Sequence, residues 1–176
     1  MNLFYWLFVI LCAYSLLVFF ISRLVVPFME FGGFSPAKRI PEEIKAAIAD
    51  LEVRATDQRS YLEAAYELVM DKNQSQWNHT RFQAAFKMHR AFVSDLSEIW
   101  ETKEFIYCTA INYLMAALLV NSKYFRSEDI QVKHVFVNMF IHQYLKVNVN
   151  GKWVDVDPAG TGIRGKPIGT HLAGFG

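Results

Sequence analysis

The spacing of hydrophobic positions changes several times along the chain. Residues 3–22 form an unbroken run of twenty uncharged residues, LFYWLFVILCAYSLLVFFIS. From Pro41 onward, apolar residues recur at helical spacing: Ile44, Ala47, Ile48 and Leu51. Proline suits the start of a helix, and Glu42 and Glu43 sit in the first turn, where the dipole favours acids. A second helix is predicted over about 57–70 and a third over about 79–100, with the stripe Phe82, Phe86, Ala91, Phe92 and Leu96 as core. Residues 107–120 carry no charge and few polar groups, which predicts a helix buried all round. After a polar break at 121–129 the pattern becomes that of strands: 131–140 is rich in Val and Phe, and 141–149 and 152–156 alternate. Helices followed by strands predict an α+β domain with helices packed on an antiparallel sheet.

At 1.5 Å per residue the first run would rise about 30 Å, the thickness of a bilayer core. Tyr5 and Trp6 sit near one end of it, as interfacial aromatics do. No basic segment precedes it, and Arg23, Leu24, Val25, Val26 and Pro27 follow instead of a small-residue cleavage site. The expectation is therefore an uncleaved transmembrane anchor at 1–26, a linker rich in Gly and Pro at 27–40, and a domain at 41–176, in a single-pass membrane protein. Arg23, Lys38 and Arg39 flank only the C-terminal side, so the positive-inside rule places the domain in the cytoplasm. The uncharged stretch at 105–120 is slightly short for a second span.

Composition narrows the function. The chain has 176 residues, 53% of them hydrophobic, enough for one domain with a core. Its 18 basic and 17 acidic residues nearly balance and form no polybasic tract, which argues against nucleic acid as a partner. Two cysteines, Cys12 and Cys108, make neither a disulfide scaffold nor a four-cysteine zinc site. His79, His89, His134 and His171 show no metal-ligand spacing. Gly160, Gly162 and Gly165 match the dinucleotide fingerprint by letter only: Pro167 follows, and no strand-to-helix context surrounds them. No cofactor and no metal are expected.

The candidate chemistry rests on three side chains. Cys108 falls at the start of the buried helix. There, helix dipole and backbone N–H groups favour a thiolate, while a small buried hydrophobe is the alternative. Asn150-Gly151 between alternating runs signals a type I′ hairpin turn. That turn sets Val149 opposite Lys152, Val147 opposite Val154, Lys146 opposite Asp155 and Tyr144 opposite Asp157. His142, Tyr144, Lys146, Asp155 and Asp157 then share one face, with His142 diagonal to Asp157 at roughly 7–8 Å between Cα atoms. Lys146 is the simplest partner for Asp155. Because the apolar face of the hairpin points the other way, either helices cover both faces or a bulge near Phe140 re-aims His142.

Cys108 at a helix start, His142-Gln-Tyr144-Leu-Lys-Val, Gly151-Lys-Trp153 and Val156-Asp157-Pro158 together resemble the transglutaminase-like cysteine enzyme superfamily, over residues 108–158. Ile106 stands where that family usually has Gly, and Tyr144 where it commonly has Trp. The resemblance implies a papain-related fold and acyl transfer on peptide or glutamine-type amides through a triad of Cys108, His142 and Asp157. Cys108 would attack the carbonyl, His142 would carry the proton, and Asp157 would orient His142. Water as acceptor gives a peptidase or deamidase, and an amine gives a transglutaminase. The Cys108 backbone N–H would line the oxyanion hole, with Gln74, Trp77, Asn78 and Gln83 as candidate side-chain partners. The expected partners are a protein or peptide substrate and a lipid bilayer through residues 3–22. The second reading is a catalytically inactive module of the same kind that binds a partner at the membrane.

Overall fold

The computed structural model describes residues 3–25, 29–30, 33–34, 39–73, 90, 93–102, 107–135, 142–160 and 165–172. Helix α1 is Leu3–Val25, and its described side chains, residues 3–17, are nearly all exposed. Among the described residues no helix is long and apolar enough to cross a membrane. The transmembrane anchor is corrected on that finding, and the single-pass localisation and the membrane side go with it. The stretch expected as a linker contains a short antiparallel pair, β1 (Met29–Glu30) and β2 (Gly33–Phe34).

Pro41 is the N-cap of α2 (Glu42–Arg54), which ends where Ala55 turns extended. Asp57 then starts α3 (Gln58–Asn73): its carboxylate accepts from the Ser60 N–H at 2.7 Å, and the Ser60 hydroxyl accepts from the Asp57 N–H at 3.0 Å. The helix expected over 79–100 is not continuous. Residues 93–95 lie outside any helix, and the Asp95 carboxylate caps a new short helix, α4 (Leu96–Glu101), by accepting from the N–H groups of Ser97 and Glu98. Of the expected stripe, Leu96 is described and buried, while Phe82, Phe86, Ala91 and Phe92 lie outside the described residues.

Helix α5 (Cys108–Val120) is buried from Ala110 to Leu119, as its uncharged sequence requires. A 3-10 turn (Ser127–Asp129) leads into the sheet of β3 (Ile130–His134), β4 (Gln143–Val149) and β5 (Lys152–Val156), antiparallel in that order. The domain is α+β. Ile130, Leu145, Val147, Val149 and Val156 line the apolar face of the sheet and join α2, α3 and α5 in one core. Tyr61 donates its hydroxyl to the Leu118 carbonyl at 2.9 Å, satisfying an acceptor in the last turn of α5. Gln58 ties the hairpin turn to the rest: its Nε2 donates to the Tyr124 carbonyl, and its Oε1 accepts from the Asn150 N–H at 2.8 Å.

Asn150 and Gly151 have φ of 51° and 82°, both left-handed, as a type I′ turn demands. The ladder that follows pairs Val149 with Lys152, Val147 with Val154, Lys146 with Asp155 and Leu145 with Val156. This is the register expected from the turn.

Candidate active site

The nucleophile candidate depends on how α5 meets β4. Tyr107 is the N-cap, so Cys108 is the first residue of the helix, half-buried at its end. Asn112 lies one turn further on the same face, is buried, and donates its Nδ2 to the Gln143 carbonyl at 2.7 Å. This bond fixes the start of β4 against the first turns of α5. His142 immediately precedes Gln143, and its imidazole lies near enough to Cys108 for the two to influence each other's charge.

On its other side, His142 Nε2 lies 2.8 Å from Asp157 Oδ2. Nε2 is thereby engaged, which leaves Nδ1 for the thiol. The pair is buried, with Asp157 fully so. Burial is the largest influence on His142 and disfavours its charged form. The hydrogen bonds with Asp157 and Cys108, and the charges of both, outweigh it and raise the imidazole to about 9. The structure thus brings Cys108, His142 and Asp157 together, with the imidazole between sulfur and carboxylate.

His142 is buried beside Cys108, at the start of α5, and Asp157, at the exit of β5, and the bulge considered near Phe140 lies outside the described residues. The C-terminal segment 165–172 runs along Asp155 and Asp157. Along this segment, Lys166 N–H donates to the Asp157 carbonyl at 3.0 Å and Gly169 N–H to the Asp155 carbonyl at 2.7 Å. Leu172 N–H donates to Asp157 Oδ2 at 2.9 Å. Asp157 Oδ1 is buried with no hydrogen-bond partner among the described residues, so Oδ2 carries the carboxylate's side-chain bonding. Gly160, inside the decoy glycine pattern, presses on the same carboxylate: a β-carbon there would lie 2.9 Å from Oδ2. Gly162 lies outside the described residues.

Asp155 pairs with Lys146 at 3.3 Å, as the register implied. It also meets His171 Nδ1 at 2.8 Å, a partner that sequence reasoning missed. Asn112, Gly160 and Leu172 were missed too. Asn112 had a signal, as an amide one helical turn after Cys108 in an otherwise apolar run. The candidate oxyanion side chains Gln74, Trp77, Asn78 and Gln83 lie outside the described residues. Among the described residues no group of His, Cys, Asp and Glu could hold a metal ion. Cys12 lies exposed on α1.

In comparisons with known families, curated proteins and solved structures, nothing matches this chain.

Proposed function

We propose that the chain is a cysteine acyl-transfer enzyme acting on peptide or glutamine-type amides, similar in chemistry to the transglutaminase-like superfamily. The observation that carries this reading is the buried 2.8 Å contact of His142 Nε2 with Asp157 Oδ2, with Cys108 at the start of α5 close to the same imidazole. In the first half-reaction the Cys108 proton passes to His142 Nδ1 and Sγ bonds the amide carbonyl carbon. The C–N bond then breaks, the amine leaves with the proton from His142, and a thioester remains. Water or an amine next attacks the thioester and yields its proton through His142 to Sγ, releasing an acid or a new amide. Asp157 holds the imidazole in one tautomer and stabilises its cation. The Cys108 backbone N–H, at the start of α5, faces the developing oxyanion.

The test is alkylation of the full chain with iodoacetamide at pH 6, where an ordinary thiol is nearly all protonated. Rapid modification mapped to the Cys108 peptide, lost in Cys108→Ala with the fold intact, supports the reading. A Cys108 no faster than a free thiol in solution overturns it.

A further inference from the structure

The Leu172 N–H that reaches Asp157 Oδ2 belongs to a segment without regular secondary structure. Such a segment holds its position through individual contacts, here the backbone bonds of Lys166 and Gly169 to Asp157 and Asp155 together with side chains at each end. One end is fixed by Tyr66, whose hydroxyl donates to the Lys166 carbonyl at 2.6 Å. Gly165 there has φ +55°, and a β-carbon on it would lie 2.5 Å from the Tyr66 oxygen. The other end is fixed by His171, adjacent to Leu172. Its ring lies flat on Tyr144, with centroids 4.1 Å apart and planes within 2°. Its Nδ1 bonds Asp155 Oδ2 at 2.8 Å, and Asp155 is itself paired with Lys146. The two aspartates of β5 and its exit, Asp155 and Asp157, are therefore gripped by consecutive residues of one segment.

We infer that His171 is a positioning residue: by its bond to Asp155 and its stack on Tyr144 it holds the Leu172 N–H on Asp157, and so fixes the acid that orients His142. Its catalytic meaning rests on the Cys-His-Asp reading above, but the coupling of His171 to His142 does not. His171 acts through Asp157 and touches no reacting atom. The charged and titratable groups involved are Asp155, Lys146 and Tyr144 around His171, and Cys108 and Asp157 around His142.

The experiment is an NMR titration of the His142 imidazole in the full chain, with melting temperature recorded alongside. His171→Phe keeps a flat ring for Tyr144 and removes the nitrogen that meets Asp155. His171→Asn keeps an N–H donor at that place and removes the ring. The expected result is a His142 midpoint lower by about one pH unit or more in His171→Phe, and returned at least halfway to wild type in His171→Asn. An unchanged midpoint in a folded His171→Phe chain overturns the inference. So does an equal fall in both variants, which would mean general loosening of the segment. If His171→Phe does not fold, Asp155→Asn weakens the same bond from the other partner and is judged by the same shift. Wild-type Cys108 that resists iodoacetamide at pH 6 would sink the acyl-transfer reading while leaving the titration to decide this one.

Discussion

Gly160 lies so close to Asp157 that a β-carbon would sit 2.9 Å from the Oδ2 oxygen and 3.2 Å from Cγ. That oxygen already holds His142 and Leu172, so it has nowhere to swing. Gly160→Ala is expected to destabilise the fold by about 1–3 kcal/mol, the usual range for overpacking. It should also slow pH 6 alkylation of Cys108, because the carboxylate must shift. Calorimetry and alkylation kinetics read the two effects separately, and a wild-type result in both would show that the carboxylate has room.

Asp157→Asn and Asp155→Asn separate the two acids. The first keeps the shape but gives His142 an amide that favours the wrong tautomer, and should lower kcat/KM by about 10²–10⁴. The second touches His142 only through His171 and Leu172, and should cost less than about tenfold on the same scale. If Asp155→Asn were the more damaging, the triad would have to be reassigned.

His142 predicts how stability changes with pH. Its folded value is about 9 against an ordinary 6.5, so the fold favours the protonated ring. A raised value stabilises fully below about pH 6.5, and that contribution fades as pH rises through about 9. At 1.36 kcal/mol per unit the loss is on the order of 3 kcal/mol, enough to lower Tm by several degrees. Thermal melts between pH 6 and 10 check this, and His142→Gln should flatten the high-pH decline. A wild-type Tm that holds constant across that interval contradicts the pairing.

Gly151 holds φ +82° at the hairpin turn with open space around its α-carbon, so backbone strain alone decides the cost of a side chain there. Gly151→Val should lose about 1–2 kcal/mol, seen as a lower urea midpoint at unchanged slope. Asn150→Gly, at φ 51°, should cost much less, because glycine accepts that conformation.

Legibility followed the side chains. The hairpin pairing and the proximity of His142 to Asp157 were readable because Asn150-Gly151 admits one common turn and strand residues alternate with period two. The buried α5 was readable because residues 107–120 carry no charge. Leu172 was invisible, since its contribution is a backbone N–H, which every non-proline residue has. His171 was invisible as a partner of Asp155 because the register names only neighbours across the strands, and His171 arrives from outside the sheet. The break before Leu96 went unseen because Asp95 acts as a cap through a local competition that an apolar stripe does not record. The twenty-residue apolar run suggested a membrane span, but among the described residues no helix is long and apolar enough to cross a membrane.

His142 and Asp157 are joined by a single hairpin, out along β4 and back along β5. That makes the chain between them a spacer of fixed length. One residue added to or taken from either arm would turn everything beyond it onto the opposite side of the pleat, carrying one of the two partners into the core. Two residues would keep the side but slide the partners apart by about 7 Å. Only a bulge could absorb a change. Between these two residues the protein can therefore exchange side chains more freely than it can gain or lose positions.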